Sequence, residues 1–193
     1  MTTPAVSLQG LTKVFGGTNT PEPPKYDGTD LWPVAPELLA DAADAESSTI
    51  VFPDSTVTGQ LYDSGEGQTF VFTLPMHLGD KDTTLKLVLH AARVQMELAD
   101  DRKSATKGVI AGVLDTEEFI AQVNKIGWLA DMCGDDTFNM IVGSIRQASD
   151  IMVSGTQDSS AICNGISLGV NFEMKEVQIG EVAPPAPAGE ACQ

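Results

Sequence analysis

The sequence predicts a mainly β fold, a β-sandwich or barrel-like antiparallel sheet, with an α-helical hairpin inserted before its last strand. Three observations carry this reading. Apolar residues alternate with period two in 68–74, 92–98 and 166–174. Clusters of Gly, Asp, Ser and Pro separate the apolar runs. Helical spacing takes over only between residues 115 and 152.

The chain begins with an extended arm, residues 1–48. Residues 5–16 suggest a short strand through Val6, Leu8 and Leu11, weakened by Gly10, and residues 17–30 read as a Pro/Gly/Asp linker. Two prolines fragment the segment 31–39, which excludes a central strand or a long helix there. It reads as an irregular segment pinned by Trp32, with a helical turn over 36–45 opened by Pro36. The β-rich domain spans 49–182. Its first strands, 49–52 and 56–62, are two runs or one strand bent at Pro53-Asp54. Phe70, Phe72 and Leu74 then share one face of a strand. In 85–98, Ala92, Val94, Met96 and Leu98 alternate with Arg93, Gln95 and Glu97, so a strand is favoured over the competing helix.

Another strand covers 107–114. At Asp115 the period changes: this residue reads as an N-cap followed by Glu117 and Glu118, with Phe119, Ile120, Val123, Ile126 and Ala130 at helical spacing. Phe138, Ile141, Val142, Ile145, Ala148 and Met152 form a second stripe, which completes a helical hairpin over 116–152. The clearest strand follows, with Ile166, Leu168, Val170, Phe172 and Met174 on one face, and 175–179 extends or pairs with it. Residues 183–193 are a flexible Pro/Ala tail.

Charge narrows the functional classes. Eleven Lys and Arg against 27 Asp and Glu give a net charge of -16, which argues against binding to a nucleic-acid backbone or an anionic bilayer. Residues 1–47 and 115–136 together carry -10 of it. No basic n-region, apolar h-region or lipobox stands at the N-terminus, and no run of 18 apolar residues predicts a transmembrane segment. Scarce Lys and the Gly/Thr/Ser/Asp-rich turns favour an exported domain over a cytoplasmic one.

The search for chemistry returns few candidates. The sequence contains no Walker A, GxGxxG, HExxH, CxxC or GxSxG pattern, and His77 and His90 stand apart from any nucleophile. Cys133, Cys163 and Cys192 match no zinc or iron–sulfur spacing. A Cys133–Cys163 disulfide, worth about 3–4 kcal/mol by loop closure, competes with two buried free thiols. Cys192 reads as unpaired or intermolecular. Hard cations need oxygen-rich loops, which makes Asp27, Asp30, Asp80, Asp82, Asp135 and Asp136 weak Ca²⁺ candidates; none fits an EF-hand, and turn or helix capping explains them better. No cofactor is expected, with Ca²⁺ as the one weak candidate. Tyr26, Trp32, Val34 and Leu38 are candidates for contacting a partner, because the arm holds more apolar residues than water should see. Either the arm covers a sheet edge of its own domain or it adds a strand to a neighbour.

The segments Phe70–Pro75, Ala91–Val94 with Gly108–Leu114, and Cys163–Phe172 resemble a family of uncharacterised exported proteins and lipoproteins of myxobacteria and related environmental bacteria, over about residues 68–180. The resemblance implies export and favours the Cys133–Cys163 bridge. It implies no catalytic residue. The expected protein is therefore a non-catalytic, extracellular or envelope-associated structural or adhesive protein that binds itself or another surface protein. The competing expectations are a Ca²⁺- or carbohydrate-binding β-sandwich module and an enzyme with an unrecognised site.

Overall fold

The computed structural model describes residues 25, 27–78, 81–125 and 136–184. The fold is mainly β. A two-stranded sheet pairs β1 (Leu31–Val34) with β8 (Gln178–Val182). A six-stranded sheet has the order β2-β3-β5-β6-β7, with β4 also paired to β5; these strands are β2 (Thr56–Thr58), β3 (Leu61–Asp63), β4 (Gln68–Leu78), β5 (Lys81–Leu98), β6 (Ser104–Asp115) and β7 (Gly165–Lys175). Helices α1 (Thr116–Asn124) and α2 (Asp136–Gln147) are inserted between β6 and β7. The chain divides into two compact units: Met1–Gln68, Arg93–Ala111 and Gly169–Pro185 in the first, Thr69–Ala92, Gly112–Leu168 and Ala186–Gln193 in the second. Strands β5, β6 and β7 each contribute residues to both.

In the second unit, Leu87 and Leu89 of β5 are buried, and the next buried residue is Ala92 rather than residue 91. The period-two pattern slips by one at Ala91, which takes a left-handed φ of 47°. An extra residue of this kind is a β-bulge, and it keeps Leu87, Leu89 and Ala92 on one face. Close packing here requires Gly112 on β6, since a Cβ there would lie 3.0 Å from the Leu89 Cβ and 3.1 Å from the His90 carbonyl oxygen. Lys107 (φ 49°) produces the same slip on β6 in the first unit, where the buried residues are Ala105 and then Gly108.

The Asp115 carboxylate caps α1 by accepting from the Glu117 and Glu118 amides, at 2.9 Å each. Ile120 and Val123 of α1 meet Phe138 and Val142 of α2, with Leu85, Phe119 and Ile145 around them. The helices run antiparallel: Arg146 near the end of α2 makes a paired hydrogen bond to Glu117 in the first turn of α1, at 2.7 and 2.9 Å. The second helix ends at Gln147, before the expected Met152, because Ile151 forms a β-bridge with Gly165 and Asp150 accepts from the Ser167 amide and hydroxyl.

The expected Cys133–Cys163 disulfide is corrected by the structure, in which Cys163 is a half-buried free thiol. Cys133 lies outside the described residues. The Asn164 carbonyl accepts from the Thr116 amide, and the Thr116 hydroxyl bonds Ser149 just past α2, so Cys163 sits at the C-terminal end of that helix. The 12 residues of α2, about 18 Å long, separate this end from Asp136.

Two stretches in the first unit also depart from the expected elements. Residues 49–52 form no strand, although Phe52 is buried. The run 56–62 is split by a turn at Gly59 (φ 62°) into the antiparallel β2–β3 hairpin. Residues 31–34 form a strand despite Pro33, because β1 has a register break between Trp32 and Val34 where the missing amide costs no ladder bond. Its partner is β8, in parallel, rather than β8 pairing with β7.

Candidate functional site

Two places in the second unit and two in the first combine polar chemistry or apolar exposure. On β5 of the second unit, the residue before the bulge, His90, places Nε2 2.9 Å from Glu118 Oε2 on α1. Both side chains are solvent-accessible, so the pair adds little to stability. A shallow depression of about 250 Å³ lies beside Glu118, walled by Lys86, Val88, Leu114, Phe119 and Gln122. It is smaller than the usual small-molecule site. Among the described residues no group of three His, Cys, Asp or Glu is placed to hold a metal ion.

In the first unit, β3 pairs with β5 so that Asp63 stands opposite Gln95. The Asp63 carboxylate accepts from Arg93 Nε (3.0 Å), Gln95 Nε2 (2.8 Å) and the Gly65 amide (3.0 Å). Arg93 also donates to Glu66 at 2.8 Å. The Arg93 hydrogen bond, helped by Gln95 and Gly65, holds the Asp63 carboxyl far below the usual carboxylate range. Beneath it, fully buried Ser64 accepts from the Val94 amide at 2.8 Å. Tyr62 is fully enclosed, and burial raises its phenol above the ordinary range. Asp63, Arg93 and Glu66 are paired with one another, and the cluster locks a short strand onto β5. Sequence reading missed it because the partners are 30 residues apart. Only the register of β3 on β5 brings them together.

At the other side of the same sheet lies β7. It runs antiparallel to β6, as shown by the Glu176 amide bonding the Lys103 carbonyl and by the Phe172 ring lying over Gly108, where a Cβ would meet it at 2.6 Å. No described strand pairs with its outer side. In the first unit this edge carries Val170, which is 37% exposed, with Phe172 and Met174 half-buried on the same face. Leu31, Val109, Val177 and Ile179 of the same unit are exposed as well.

The other residues singled out from sequence scatter. Val34 and Leu38 are buried within the first unit, Trp32 is half-buried on β1, and Tyr26 lies outside the described residues. Asp27 is exposed and accepts from the Thr29 hydroxyl and amide; the hydroxyl bond chiefly lowers its pKa. Asp30 is buried and accepts from the Lys25 amide at 3.1 Å. Asp136 is exposed at the first turn of α2. Asp80 and Asp135 lie outside the described residues, as do the side chains of Asp82 and His77. None of these candidates is brought together with another into a ligand set among the described residues. No protein-family model matches the chain, and neither the curated proteins nor the solved structures contain a significant match.

Proposed function

We propose that this is a non-catalytic protein of the cell envelope or extracellular space that works through protein–protein contacts, with the β7 edge as its docking surface. The observation that carries the reading is the edge itself. It is long, it presents an apolar row through Val170, Phe172 and Met174, and its only charged residues are Glu173 and Lys175 near one end. Exposed edge strands are ordinarily shortened, interrupted by proline or studded with charge to prevent pairing. An edge without these defences suits β-strand addition, in which main-chain bonds supply affinity and alternate side chains supply specificity. The resemblance of residues 68–180 to exported proteins supports the compartment. No helix among the described residues is long and apolar enough to cross a membrane, which says nothing of spanning by strands.

Light scattering on the full chain tests the reading. The mass should rise with protein concentration, and should rise further when salt screens the repulsion between chains of net charge -16. Val170→Lys, which puts a charge in the middle of the edge, should abolish the rise. A mass that stays monomeric at every concentration and salt level would count against assembly through this edge.

A further inference from the structure

The occupant of the β7 edge can be named from the chain's own sequence and from where the described residues begin. The inference rests on the contact function proposed above. Gly28 packs against Glu176, the residue that follows β7, with an ideal Cβ 3.3 Å from Glu176 Oε2. Lys25 is tied nearby through Asp30, whose carbonyl accepts from Gln178. The described residues of the N-terminal region therefore begin beside the C-terminal end of β7. It carries Val6, Leu8, Leu11, Val14 and Phe15. Residues 5–16 would extend about 40 Å as a strand, and the edge from Gly169 to Lys175 takes up about 24 Å of that.

Charge points the same way. All seven acids of residues 1–47 lie at Glu22 or beyond, so residues 1–21 contain one Lys and no acid in a chain of net charge -16. This is the part of the molecule best able to approach a second copy without like-charge repulsion. Its connection disfavours a return to its own edge. The sequence Pro21-Glu22-Pro23-Pro24 predicts a stiff spacer of about 12 Å immediately before Lys25, and only Gly17 to Thr20 stand between it and residues 5–16. A short stiff hinge favours donating a segment to a neighbour over folding it back.

We infer that residues 5–16 of a second copy of this chain add as a strand to the β7 edge over Gly169–Lys175, and that the exchange is reciprocal and closes a dimer. Val6 and Leu8, which alternate, extend the row of Val170, Phe172 and Met174, and main-chain bonds fill the open side of β7.

The test compares the full chain with its Val6→Asp/Leu8→Asp variant by light scattering, with hydrogen exchange read by mass spectrometry at residues 5–16 and 169–175. The wild type should be a dimer with slowed exchange in both segments. The double variant should keep its far-ultraviolet circular dichroism, raise the dimerisation midpoint at least ~30-fold, and lose the protection in both segments together. A double variant that dimerises as well as wild type overturns the inference while leaving the contact function standing, since the contact then lies elsewhere. A monomeric wild type with residues 5–16 protected overturns it in favour of closure by the chain's own arm. A monomer with neither segment protected overturns both the inference and self-assembly at this edge.

Discussion

Within the first unit, the six-stranded sheet ends differently on its two sides. On one side stands β2, three residues long and reading Thr-Val-Thr, next to an equally short β3 that is fastened to β5 by Arg93, Asp63 and Gln95 over a fully buried Tyr62. On the other stands β7, 11 residues long, with Val170 exposed and no ionic fastening along its outer side among the described residues. The first edge is built so that nothing further pairs with it. The second is longer and carries charge only at Glu173 and Lys175, and on the proposed reading stability belongs to the first side and contact to the second.

Substitutions should separate these roles. The largest effect is expected at the closed side, where Tyr62→Ala removes a fully buried ring and should cost about 4 kcal/mol in urea unfolding. A smaller effect is expected at Asp63. Its carboxyl is held below its ordinary range, so it contributes stability that is fully present above the unfolded-state pKa of about 4 and is lost as pH falls from there toward the depressed folded value. Urea midpoints measured from about pH 6 down to pH 3 should therefore fall for wild type and fall less for Asp63→Asn. At neutral pH that variant should lose about 1–2 kcal/mol, held down by the 40% exposure of Arg93. The smallest effect on folding belongs to Val170→Lys on the open side, within about 0.5 kcal/mol in monomer stability, even though association is lost. A large destabilisation there would mean that β7 is part of the closed core and would remove the contrast.

Much of the fold is legible in local patterns. The Asp115 cap, the first turn of α1 and the strand from Ile166 to Met174 depend on neighbours in sequence, and the structure has all three. The slip at His90-Ala91 is also written in the chain, since Leu85, Leu87 and Leu89 occupy odd positions and Ala92, Val94 and Met96 even ones; a single alternating frame hides it. What local patterns do not carry is pairing at a distance. The parallel union of β1 with β8 joins residues nearly the whole described chain apart, through a proline that argues against a strand. The Arg93–Asp63 bond depends on a register that neither residue encodes alone. Cys163 is a free thiol, against expectation, because the loop-closure gain of a bridge says nothing about where the fold places each cysteine. The candidate contact edge was half legible: alternation marked the apolar face of β7, while its place at the end of the sheet required the topology.

Hydrogen exchange of the two sides at low and high protein concentration tests the central claim most directly. Edge pairing predicts that amides of residues 169–175 slow as concentration rises, while those of residues 61–63, already bonded to β5, do not change. Exchange at 169–175 that is the same at both concentrations, or slowing that is equal on the two sides, would contradict it.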